Sequence, residues 1–180
     1  MALNMLQRAL FIILCVLTAH IFPISQVDAN PGPLEVRQLN KHVILLYRSQ
    51  KYEEAVPMAR QAMRLMDRVK QPSPVLFIQT LNNLAELKRQ TGDFVTAETL
   101  FLRSLRISVQ ALGETHSSIP IICNNLALLY EKFGKFAEAE ALYQRSLKIR
   151  EKKLGRDHPK VITLVHKLAA LLKKRNQQNM

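Results

Sequence analysis

The stretch from Leu76 to Ser117 recurs without a gap as Ser118 to Pro159. Seventeen of the 42 aligned positions are identical, where composition alone would give roughly two or three. A unit recurring at this period cannot enclose a core by itself. It must bury its apolar face against a neighbouring copy, which commits most of the chain to a stacked array.

Each copy divides into two helical patterns. In the second copy Leu126, Leu129, Tyr130 and Phe133 fall at helical spacing before Gly134, and Phe136, Ala139, Leu142, Tyr143, Leu147 and Ile149 do so after it. Gly134 and its counterpart Gly92 stand where one helix must end and the next begin. Two antiparallel helices per copy follow, with Ala85 and Ala97, or Ala127 and Ala139, allowing close approach beside the large rings of Phe101 and Tyr143.

This order of Leu, Ala, aromatic, Gly, Ala and aromatic resembles the tetratricopeptide repeat. The 42-residue period, the "NNLA" opening, "AEAEALYQRSL" and the joint "LGRDHP" (Leu154 to Pro159) are similar to repeats of the kinesin light chain type. A worn copy precedes them, Leu39 to Leu65, with Val43, Leu46, Tyr47, Tyr52 and Met58 in place. It has Gln50 where the others have Gly, a first helix one residue shorter, and the joint "QPSP". After the last joint, "KVITLVHKLAALLKKR" matches only a first helix. The resemblance therefore implies an all-α, right-handed helical-repeat solenoid of three antiparallel helix pairs and a C-terminal capping helix, seven helices in all. The repeats are expected at 36–72, 76–117 and 118–159, and the cap at 160–175. In that cap Val161, Val165, Leu168 and Leu172 are expected to pack inward, with Lys160, Thr163, Lys167 and Lys174 outward. Residues 176–180 are read as a frayed tail.

Residues 1–29 read as a signal peptide. Arg8 gives a basic start, Ala9 to Ala19 is an unbroken apolar run, and "VDA" ends in small residues, so cleavage is expected after Ala29, ahead of a linker over 30–35. His20 and Pro23 interrupt the run short of the roughly 20 residues a membrane span needs; an uncleaved anchor is the alternative. Bulky residues before Cys15 argue against a lipid anchor. Export to a periplasm, or secretion, follows. With Cys15 removed, Cys123 has no partner for an intrachain disulfide, and its apolar setting reads as a small buried hydrophobe.

The formal charge is +12, and the segment from Tyr143 onward carries eleven Lys or Arg against Glu151 and Asp157. Such a field attracts an acidic partner or an anionic polymer, or serves only to solvate helices. No basic and aromatic interleaving accompanies it, which disfavours nucleic acid.

Nothing in the sequence assembles a catalytic site: there is no phosphate loop, no GxSxG and no HExxH. His116 and His158 sit in the joints and read as structural. Glu138 and Glu140, two apart on a helix, point to different faces. A non-enzymatic chain without cofactor or metal is expected.

What remains is surface. In solenoids that this chain resembles, the first helix of each pair lines a concave groove that meets peptide segments of partners. The resemblance carries that role onto Asn82, Asn83, Glu86, Arg89 and Gln90, and onto Asn124, Asn125, Leu128, Glu131 and Lys132. Lys41, Leu45 and Arg48 extend the row at one end, and Thr163, His166, Ala170 and Lys173 at the other. Asn82 and Asn124 are the sharper candidates, because their amides offer donors and an acceptor to peptide backbone; Asn83 and Asn125 can equally bond within the bundle. Relatives that hold a C-terminal carboxylate use a clamp of which Lys41 and Asn83 match two parts, while Leu45, Ile121 and Asn125 replace the others. The function expected is a scaffold or adaptor for a protein or peptide partner, monomeric or weakly homo-oligomeric. The rival is anionic-polymer binding by the basic C-terminal quarter.

Overall fold

The computed structural model describes residues 32–178. Those residues form seven α-helices: α1 Pro33–Arg48, α2 Tyr52–Arg68, α3 Pro74–Gln90, α4 Phe94–Leu112, α5 Ser118–Lys132, α6 Phe136–Leu154 and α7 Pro159–Gln178. No strand occurs among them. Proline opens α1 and α3 within their first two positions, where its missing N–H leaves no bond unmade. The turn inside each pair needs one residue with a left-handed backbone. Gly92 and Gly134 supply it at φ of 85° and 69°, and Gln50 supplies it at 58°, so the first copy keeps the turn with a less suitable residue.

The joints between pairs explain the repeated histidines. His116 Nδ1 accepts the Ser118 amide at 3.2 Å, and His158 Nδ1 accepts the Lys160 amide at 3.1 Å. Each ring thus satisfies an orphan donor at the start of the following helix.

Helices α1 and α2, α3 and α4, and α5 and α6 pack as pairs, and α1 meets α3 while α3 meets α5. The first helices thus form an inner row and α2, α4 and α6 an outer one. Ala85 and Ala97 are fully buried in one pair, Ala127 and Ala139 in the next. The rings of Phe101 and Tyr143 beside them are also wholly buried; truncating either to Ala would cost about 3–5 kcal/mol. Ser104 Oγ donates to the Ile78 carbonyl at 3.4 Å, and Ser146 Oγ to that of Pro120 at 3.0 Å, tying outer helix to inner at equivalent points.

The end helices differ from expectation. α1 begins at Pro33, inside the expected linker, and α7 continues to Gln178, through most of the expected tail. In α7 the inward stripe is Val161, Leu164, Leu168 and Leu171, whereas Val165 is 42% exposed. The inward-facing set is shifted because α7 packs against the preceding α6, not against a second helix of its own pair. No described helix is long and apolar enough to cross a membrane. The N-terminal apolar run and its expected cleavage point lie outside the described residues.

Candidate functional site

Neighbouring inner helices are joined by polar side-chain bonds, four of which, the rungs, share one offset. Asn83 Nδ2 on α3 donates to Asn40 Oδ1 on α1 at 3.3 Å, and Gln90 Nε2 donates to the Tyr47 hydroxyl at 3.0 Å. Lys167 Nζ on α7 reaches Asn124 Oδ1 on α5 at 3.5 Å, and Lys174 Nζ reaches Glu131 Oε2 at 3.3 Å. All four pairs are 43 residues apart, one more than the repeat, because each residue reaches back to the position just before its own counterpart.

Applied to the middle gap, between α3 and α5, that offset pairs Asn82 with Asn125 and Arg89 with Lys132. Neither pair is bonded among the described residues. Arg89 instead forks onto Glu86, with contacts of 3.0 and 2.6 Å, and Lys132 places its ammonium 4.2 Å from the centre of the Phe94 ring. Asn82 Oδ1 is buried and has no hydrogen-bond partner. A buried acceptor left unmade costs about 1–3 kcal/mol, so this oxygen is suited to a donor that reaches it.

A cavity of about 220 Å³ opens there, lined by Ile44, Tyr47, Arg48, Asn82, Asn83, Glu86 and Asn125 among others. The candidates from α1, α3 and α5 therefore converge. Lys41 lines an adjoining cavity with Asn82, Asn83 and Ile121. Several of the candidates are nonetheless held in place by one another. Glu86 Oε1 accepts from the Tyr47 hydroxyl at 2.6 Å and from Gln90 at 3.1 Å, as well as from Arg89. Burial and the Glu86 carboxylate push the Tyr47 pKa above its ordinary value, and Glu86 likewise raises that of Arg89. Glu131 accepts from buried Tyr143 at 2.6 Å. Glu86, Arg89 and Glu131 thus stiffen the groove wall. Leu128 is half-buried, and His166, Ala170 and Lys173 are exposed. Lys167 and Lys174, expected to point outward, instead reach α5.

Sequence reading missed a second element, on the rim. Val75, Ile78, Leu112, Ile121, Ile149 and Leu154 wall an apolar cavity of about 350 Å³, edged by Arg150, Lys153 and Lys160. Arg150 and Lys160 also line a smaller cavity with Asn124, Thr163 and Lys167. No Asp or Glu lines either one. The Arg150 guanidinium is half-buried with a single hydrogen bond, 3.4 Å to the Lys160 carbonyl, and burial lowers its pKa. In the sequence Arg150 is one of many cations on an outer helix, and only the stacking brings it beside Asn124.

No group of three or more His, Cys, Asp or Glu that could hold a metal ion occurs among the described residues. Cys123 is buried and free, its thiol pushed up to about 11 by burial.

A family model described as tetratricopeptide repeat matches residues 76–152 and, in a second frame, 118–180. Among solved structures, BtubC (BKLC) from P. vanneervenii is similar with 23% identity and a TM-score of 0.69, over 77% of this chain and 55% of that one. This chain thus spans about half of that relative's length. A putative kinesin light chain with nearly identical TPR-like repeats from Podospora anserina gives 21% identity and 0.72, over 82% and 71%. The type III secretion translocator chaperone SycD of Yersinia enterocolitica gives 16% and 0.61, over 78% and 86%. These identities establish likeness of fold. No curated protein matches in sequence.

Proposed function

Since this chain belongs to the tetratricopeptide-repeat family, a family of protein-interaction modules, we propose that it is a non-enzymatic adaptor that binds an extended segment of a partner protein along its inner helices. The observation that carries this reading is the buried, unpartnered Asn82 Oδ1, in the gap between α3 and α5, where the described residues form no rung. An N–H of a peptide backbone is the donor that fits it, and the adjacent Asn125 amide offers both donor and acceptor to the same segment. The acid-free rim of Arg150, Lys153, Lys160 and Lys167 favours acidic residues in that segment. The basic start, apolar run and small residues before Asn30 support export, so the partner belongs to a periplasm or to the exterior.

The test is to capture proteins from that compartment, confirm a direct complex, and measure it with Asn82→Ala and Asn125→Ala. Loss of most of the affinity in folded variants is expected, and undiminished binding would reject the groove. The same rim is what supports the rival reading, an anionic polymer. Polymer binding falls steeply with salt through counterion release and needs no apolar anchor. Binding of a polyanion that survives Asn82→Ala and vanishes at high salt would favour the rival.

A further inference from the structure

The joint between α6 and α7 departs from the repeat where the fold does not require it. Shifted by 42 residues, Arg150, Lys153 and Lys160 fall on Ser108, Ala111 and Ser118. At the joint between α4 and α5 the two serines close on each other, Ser118 Oγ donating to buried Ser108 Oγ at 3.1 Å. At the next joint the same two places hold like charges. The half-buried Arg150 guanidinium lies against the backbone of Lys160, with one bond of 3.4 Å to its carbonyl. Neighbouring cations repel, and one long bond serves few of the five donors a guanidinium carries. The described ion pairs of α6 and α7 belong to Arg145, Lys174 and Arg175, and none includes Arg150, Lys153 or Lys160.

These three cations line the apolar cavity of about 350 Å³ walled by α3, α5 and α6. Val75, Ile121 and Leu154 are 44%, 51% and 44% exposed yet converge there, with buried Ile78 and Ile149 beside them. No described Asp or Glu lines it, and His116 in its wall already has Nδ1 engaged by the Ser118 amide. The volume is at the lower end of small-ligand sites. We propose that this cavity binds a medium-chain alkyl carboxylate, its chain against Val75, Ile121, Ile149 and Leu154 and its head group on Arg150 and Lys160. A guanidinium takes a carboxylate on two parallel N–H donors, and the negative charge offsets the repulsion between the cations. A peptide carries its acid and its apolar group on separate residues. Here the cations line the apolar hollow itself, so charge and chain meet within one cavity, as they do in one small amphiphile. An acidic residue of a partner segment reaches for the same cations, so the ligand and that residue compete. The site itself does not depend on the adaptor reading, since Asn82 lies outside it.

Calorimetric titration of the full chain with hexanoate, octanoate and decanoate tests this without any partner protein. Decanoate is expected to dissociate on the order of 10 µM at low salt, and several-fold more weakly at high salt. Each added methylene should tighten binding about fourfold until the hollow is full. Decanol, which lacks the charge, is expected to bind at least about tenfold more weakly. Arg150→Ser combined with Lys160→Ser rebuilds the serine pair of the preceding joint. That variant is expected to keep its helical circular dichroism and its stability while losing most of the affinity. Ile121→Gln, the residue type of the equivalent Gln79, is expected to weaken decanoate several-fold and leave the salt dependence in place. No binding, affinity indifferent to chain length, decanol equal to decanoate, or undiminished binding by the folded double-serine variant would each overturn the proposal.

Discussion

Asn82 and Asn125 line one cavity, separated by the same 43 residues that elsewhere mark a bonded rung, yet no hydrogen bond joins them. The inner row is closed at both ends and open at its centre. Closing Asn82 onto Asn125 would satisfy the buried acceptor internally. On the proposed reading the unmade bond is left for a donor of the partner, which separates the stability role of each asparagine from its binding role.

That division can be measured. Asn82→Ala removes an acceptor that makes no bond, so the midpoint of urea unfolding is expected to stay within error of the parent or to rise. Asn83→Ala breaks the bond to buried Asn40, which also holds Thr80 at 2.8 Å. It is expected to cost about 1 kcal/mol. Partner affinity should move the other way, falling roughly tenfold or more for Asn82→Ala and less for Asn83→Ala. If Asn82→Ala instead destabilised the protein by more than Asn83→Ala, Asn82 would hold the fold together rather than meet a partner.

Arg150 offers a second such separation. Its guanidinium is half-buried among cations with no carboxylate nearby, and desolvation already weighs against its charge. Arg150→Gln is therefore expected to leave the free protein as stable as before, or more stable at low salt. Binding of an acidic partner segment should weaken about tenfold at low salt and by less at high salt, as screening removes the difference. An equal loss at both salt concentrations would point to a packing role for the stem.

The turn at Gln50 is a site of stored strain. A non-glycine residue in the left-handed region costs about 1 kcal/mol, and Gln50 has it at φ 58° where Gly92 and Gly134 do not. Gln50→Gly is expected to raise stability by up to about that amount, less the entropy glycine adds to the unfolded chain. Gly92→Ala is expected to lower it. Thermal unfolding of the two variants settles the sign.

How much of this was legible beforehand differs between core and surface. The helix pairs, their small contact residues and the buried rings were readable because packing repeats with the sequence: Ala85, Ala97 and Phe101 do in one copy what Ala127, Ala139 and Tyr143 do in the next. The rungs were not readable in the same way. They join position i to i+43, a contact set by how helices lie across each other, so a 42-residue alignment names His166 as the match of Asn124 but not Lys167 as its neighbour. Arg150 escaped for a related reason, since its surroundings come from three different helices. The stripe of α7 went astray because the choice between its two apolar sides depends on which neighbour is present.

Asp93 gives a prediction with pH. Its carboxylate accepts from Lys88 Nζ at 2.7 Å and from the Thr96 amide at 3.3 Å, capping α4. The Lys88 bond, then the cap, hold its pKa down to about 2 from an ordinary 3.8. A carboxyl with a depressed folded pKa lends stability that is complete above the unfolded value and fades as pH falls through the folded one. Asp93→Asn keeps an acceptor for the Thr96 amide, since Asn is as good a cap as Asp, but loses the charge opposite largely buried Lys88. The parent is thus expected to be the more stable above pH 4, with the difference narrowing from there and small by pH 2, where the folded carboxyl is itself half protonated. Urea unfolding of both proteins across that range measures it. A difference that stayed constant down to pH 2 would show that the cap geometry, and not the ion pair, is what Asp93 contributes.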